Sequence, residues 1–249
     1  MTRYLPSNER YTLNDLGINP KKLTIEMNDA IVRTLTASTL TTIRNAFVRG
    51  ALITENGWPY IDVSQLKHLL RTSNSGAESP LWQNGIDGLV SPSLPFTVEK
   101  KIYITGSDFI ALLDARIRLS TGQTKLYLRY ARDIYNSILS ADPIQDLSAS
   151  FNSRIDQDRS GLKKRRIDYY QITFCEFTGS SFTSYIDVEF AHIDSVATAP
   201  LRANDIHNGV IILKEIHAEL TRRNIHDFEG MYDFCEEMGY YTDWADDFV

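Results

Sequence analysis

The sequence predicts an α+β fold, with a helix-rich N-terminal region followed by a smaller C-terminal unit built as strand, strand, helix. Three observations carry this expectation. Within residues 1–140, DFIALLDARIRLS and TKLYLRYARDIYNSIL place apolar side chains at helical spacing. Short β-prone runs, ALITENGWPYIDV and VEKKIYIT, interrupt the helical segments. Beyond residue 168 the pattern changes to YIDVEFAHID and VIIL, then a helical KEIHAELTRRN.

The elements follow in order. TIEMNDAIVRTLTASTLTTIRNAFVRG has helical periodicity, weakened by β-branched threonines that lose side-chain freedom in a helix. Asn56-Gly57 separates two β-prone runs and predicts a hairpin, because both residues tolerate the positive φ of a tight turn. Ser64 is expected to cap the short helix SQLKHLLR, and residues 72–97, rich in Ser, Gly, Pro and Asn, read as a long loop. After the strand VEKKIYIT, Ser107 or Asp108 is the expected cap of the first long helix. Pro143 is expected to end the second, and SASFNSRIDQDRSG reads as a linker. The expected organisation is therefore a helix-rich region over residues 1–142, a basic linker over 143–167, and the strand, strand, helix domain with an acidic tail over 168–249.

Composition excludes several classes. With 249 residues, 43% hydrophobic and 23% charged, the chain buries a core without cross-links. No apolar run approaches the ~20 residues of a membrane span, so no membrane partner is expected. MTRYLPSNERYTLNDLG lacks the apolar stretch of a secretory signal, and two cysteines, Cys175 and Cys235, are too few for a disulfide framework or a four-thiolate zinc site. A cytoplasmic location without structural zinc is the expectation. The net charge of −6 comes from 26 basic and 32 acidic residues, but eight of the acidic ones lie between Asp227 and Val249, which hold no Lys or Arg. The preceding residues are slightly basic and carry the cluster Arg159, Lys163, Lys164, Arg165 and Arg166, of which the last four are expected to contact nucleic acid, with a solvated linker or helix face as the alternative. Arg116, Arg118, Lys125, Arg129 and Arg132 read as solvent-facing charges on amphipathic helices.

Histidine marks the candidate chemistry. His192, His207, His217 and His226 fall close together, whereas the preceding residues hold only His68. Such clustering is a common trace of metal or acid/base sites. Phe174 to Thr178 is expected as a first strand, His192 at the end of a strand, Asp205-Ile206-His207-Asn208-Gly209 as a turn, and His217 on a helix.

Four ordered elements, Cys175-Glu176-Phe177-Thr178-Gly179, Glu189-Phe190-Ala191-His192-Ile193, Asp205-Ile206-His207-Asn208-Gly209 and His217, resemble the HNH nucleases with a ββα-metal finger, in the subgroup common among restriction and defence enzymes. The resemblance covers residues 168–226. It implies a metal-dependent DNA endonuclease, most simply a type II restriction or defence nuclease. His192 would be the general base, since a neutral imidazole deprotonates water near neutral pH. His217 would be the helical ligand of one divalent cation per site, Mg²⁺ or alternatively Mn²⁺, which neutralises charge on the scissile phosphate. Asn208 would brace the loop that orients the base, Glu189 would act beside the base or reach the metal, and His207 stands close enough for a phosphate contact. Double-stranded DNA is the implied partner, residues 1–142 would supply recognition and dimerisation, and cutting both strands with one site per chain implies a homodimer. The sequence departs from the subgroup at Leu220 and Thr221, where a Phe-Asp pair is usual. A non-catalytic nucleic-acid-binding or regulatory protein on the same scaffold is the alternative. A rival carboxylate site, Asp87 with Glu99 and Lys101, fits a looser Asp, Glu-x-Lys nuclease pattern.

Overall fold

In the computed structural model, which describes residues 3–4, 9–72, 75–246 and 248, the chain is α+β and divides into two units, Met1–Phe151 and Asn152–Val249. No helix among the described residues is long and apolar enough to cross a membrane.

The first unit contains strands β1 (Arg3–Tyr4), β2 (Arg10–Thr12), β3 (Ala51–Thr54), β4 (Pro59–Asp62), β5 (Phe96–Val98) and β6 (Lys101–Thr105). They form one sheet in the order β1-β5-β6-β4-β3-β2, with β1 and β5 parallel and the other neighbours antiparallel. Gly57 takes φ 78° at the tip of the β3-β4 hairpin, the conformation for which the Asn56-Gly57 pair is suited. The unit's helices are α1 (Asp29–Val32), α2 (Ala37–Gly50), α3 (Leu66–Leu69), α4 (Glu78–Asn84), α5 (Gly106–Leu119) and α6 (Gly122–Leu139). Their apolar faces meet in one core, where Phe47 of α2, Phe109 of α5 and Tyr135 of α6 stack, Phe109 lying edge-on to both at centroid distances of 6.0 and 5.3 Å.

Local chemistry moved several boundaries. The long threonine-rich segment breaks into α1 and α2 around residues 33–36. Asp62, not Ser64, caps the short helix, accepting from the Ser64 amide at 2.8 Å. Thr105 caps α5 by accepting from the Asp108 amide at 3.0 Å, ahead of the expected caps Ser107 and Asp108. The expected loop 72–97 contains α4, which anchors through buried Trp82.

The largest correction concerns 143–167. That segment is not irregular chain; it is helical and belongs to α7 (Asp142–Tyr170), within which the division between the two units falls. Pro143 does not end α6, which stops at Leu139; it occupies the first turn of α7, where its missing N–H costs nothing. The polar composition hides a sparse apolar stripe, Phe151, Ile155, Leu162 and Ile167, all buried.

The second unit adds β7 (Val188–His192), β8 (Gly209–Leu213), α8 (Lys214–Arg222) and α9 (Phe228–Met238). β7 and β8 pair antiparallel, with His192 opposite Gly209. Ala191, Val210 and Ile212 pack on one face against Ile216 and Leu220 of α8 and Met231 and Phe234 of α9, while Val188 and Ile211 meet Ile167 of α7 on the other. Phe174 to Thr178 is not a strand. It forms a turn closed by Gly179 N–H to Cys175 O at 2.8 Å, in which Glu176 alone satisfies both backbone groups of Ile211: its amide donates to Ile211 O at 2.9 Å and its carboxylate accepts from Ile211 N at 2.5 Å.

Candidate active site

β7 ends at His192, and its alternation sends Glu189 and His192 to opposite faces. Each then meets a hydrogen-bond partner, Ala203 O for His192 and the His217 ring for Glu189. His192 Nε2 lies 2.8 Å from Ala203 O. A carbonyl only accepts, so Nε2 carries the hydrogen and the neutral ring keeps its lone pair on Nδ1. Burial holds the His192 pKa below its usual 6.5; the Ala203 bond opposes this, and the charges of Arg159 and His217 add to it. The ring is therefore an uncharged base at neutral pH.

His217 lies on α8 with Nδ1 2.6 Å from Glu189 Oε2. The carboxylate fixes the hydrogen on Nδ1 and leaves Nε2 as the free lone pair, the arrangement usual for a metal-ligating histidine supported by a carboxylate. Glu189 is thus engaged with His217.

Asn208 is fully buried at the start of β8. Its Oδ1 accepts from the Asp194 amide at 2.9 Å, and Nδ2 donates to Asp194 O at 3.0 Å and Arg202 O at 3.1 Å. One side chain ties both ends of the loop after β7, the loop that continues to Ala203 and holds His192. Gly209 beside it serves packing, since a Cβ there would sit 2.2 Å from Phe190 Cζ, and the Phe190 ring lies edge-on to His192 at 5.0 Å. Gly209→Ala is expected to displace Phe190 and cut any His192-dependent activity about tenfold or more, in line with the steep cost of misplacing a reacting group by an ångström. Comparing its rate and its melting temperature with those of the wild type checks this.

His192 and His217 line one cavity of about 320 Å³, together with His226 and Arg159. Sequence reasoning set neither His226 nor Arg159 among the site residues. The signal for Arg159 was its place in the basic cluster, seven residues before Arg166 and hence on the same helix face.

The remaining residues of that cluster divide. Arg166 is buried, with 2% of its side chain exposed, and bonds Glu176 through Nε at 3.0 Å and Nη2 at 2.6 Å and Ile206 O through Nη1 at 2.7 Å. The expectation that it contacts nucleic acid is corrected: its guanidinium is spent inside the unit. Lys163 donates to Tyr185 O at 2.7 Å and Val188 O at 3.0 Å, anchoring α7 to the start of β7. Lys164 and Arg165 are exposed. His207 is exposed and outside the lining of this cavity; its Nδ1 meets Tyr170 Oη at 2.5 Å, with Tyr169 edge-on.

The rival carboxylate set, Asp87, Glu99 and Lys101, lies in the first unit. Glu99 and Lys100 form the turn between β5 and β6, and Lys101 pairs with Asp62 at 3.6 Å. Among the described residues no group of three His, Cys, Asp or Glu is placed to hold a metal. Both cysteines are buried and free in the core of the second unit, and burial pushes the Cys235 thiol up to about 12. The chain matches no protein-family model, no curated protein and no solved structure.

Proposed function

We propose that the protein is a metal-dependent endonuclease of the HNH, ββα-metal class that hydrolyses phosphodiester bonds in double-stranded DNA, in the role of a type II restriction or defence nuclease. The observation that carries this reading is the pairing, in one cavity, of a neutral His192 whose Nδ1 lone pair is free with a His217 whose Nε2 lone pair is free. His192 takes a proton from the attacking water at Nδ1 while Ala203 O and the Asn208-braced loop hold its ring in place. His217, oriented by Glu189, would hold one divalent cation. When bound, that cation would supply charge neutralisation at the scissile phosphate and at the departing oxygen. Two copies of the chain, one site for each strand, complete double-strand cleavage.

Purified protein incubated with plasmid and Mg²⁺ or Mn²⁺ is expected to cut it, and His192→Ala to lower the rate by about 10²–10⁴, the usual contribution of a general base. Undiminished cleavage by that variant would remove His192 from the mechanism. The pH profile gives a second expectation. The active form is neutral and its pKa is depressed, so activity falls only as pH drops below that pKa, and the acidic limb of kcat/KM has its midpoint below 6.5. A limb centred above 6.5 contradicts the assignment.

A further inference from the structure

We propose that Arg159, which lies on α7 outside the strand, strand, helix segment, is a phosphate-binding residue of this cavity and contacts a non-bridging oxygen of the phosphodiester beside His192. The inference rests on the endonuclease reading and extends it to a residue that the motif does not contain. Four observations meet here. The cavity is lined by Arg159, His192, His217 and His226 and by no carboxylate, so its titratable walls are basic. Arg159 has no hydrogen-bond or ion-pair partner among the described residues, whereas Arg166, Arg202, Arg222 and Arg223 of the same unit each pair with a carboxylate. Lys163 and Arg166, four and seven residues on, bind α7 to the loop before β7 and to the Glu176 turn, so the helix face that carries Arg159 is held against the site. The charge of Arg159 is also felt at His192. An unpaired guanidinium at a basic cavity takes an anion, and its planar fork matches two oxygens of a phosphate.

Fluorescence anisotropy of a short labelled duplex, measured in EDTA across a salt series, and saturating cleavage in Mg²⁺ test this with Arg159→Gln and Arg159→Lys. Arg159 is exposed, and thermal melts are expected to match the wild type. Arg159→Gln should weaken binding about tenfold and reduce the salt slope by about 0.9, the value for one phosphate contact. It should also lower kcat at saturating DNA, with Arg159→Lys retaining part of both. Wild-type binding and cleavage by Arg159→Gln overturns the proposal and leaves the endonuclease reading intact. Weakened binding with unchanged kcat also overturns it, since a contact remote from the reacting phosphate acts on affinity alone. If the wild type neither binds nor cuts the duplex, the endonuclease reading itself has failed. Inorganic phosphate then decides: shifts of the His192 and His226 ring signals that disappear in Arg159→Gln support the anion site, and the absence of such shifts overturns it.

Discussion

Truncation after His226 is expected to unfold the second unit. The removed segment is the acidic stretch that reads in the sequence as a tail, but it contains α9, capped by Asp227 Oδ1 accepting from Gly230 N at 2.8 Å, and a following 3₁₀ turn at Asp243–Ala245. Met231, Phe234, Cys235 and Trp244 from this stretch are buried against Cys175, Phe177 and Ile212. Truncating one large core side chain costs about 2–5 kcal/mol, and the whole stability of a domain is about 5–15 kcal/mol. Losing four together exceeds what the unit can spare. Met231 also lines the His192 cavity, so activity is expected to vanish with the fold. Circular dichroism and thermal melting of the truncated chain check this; a folded protein that cleaves faster would make the segment a removable cover instead.

The second large effect is expected from Arg166→Ala. The side chain makes two bonds to Glu176 and one to Ile206 O in a setting where it is 2% and Glu176 13% exposed. Removing one partner of a buried pair leaves the other charge without compensation, at a cost of about 3–5 kcal/mol. Glu176 also serves the Ile211 amide, so the β8 edge loosens together with the end of α7. Urea unfolding should show the loss. Arg166→Lys should recover only part of it, because an ammonium cannot reproduce the forked contact with both carboxylate oxygens. A loss under 1 kcal/mol would show that the pair contributes little.

How much was legible differs by element for physical reasons. Asn56-Gly57 is a local signal, since turn chemistry resides in the two residues themselves, and the hairpin lies where the sequence puts it. The strand ending at His192 and the helix bearing His217 were legible for the same reason, through alternation and helical spacing. α7 was not, because a helix can be stabilised by a few distant buried contacts, and Ser, Asn, Asp and Gly161 in its middle argue locally for a linker. The turn at Cys175–Gly179 was misread as a strand because its partner is Ile211, thirty-five residues beyond Glu176, and local propensity does not register that bond. Gly209 read as a turn glycine, whereas its demand is the Phe190 ring pressed on it.

Residue types, order and spacing thus determined by themselves which side chains are the candidates for chemistry: His192, Asn208, His217 and Glu189 stand in one short stretch of chain. Only the tertiary structure decided the tautomers of the two histidines and the company these side chains keep. A histidine's tautomer follows from the acceptor beside it, Ala203 O for one ring and Glu189 for the other. A basic cluster divides by the partner each position meets. Arg166 and Lys163 bond groups within the unit, while Arg159, on the same helix face, has no hydrogen-bond or ion-pair partner among the described residues and lines the cavity.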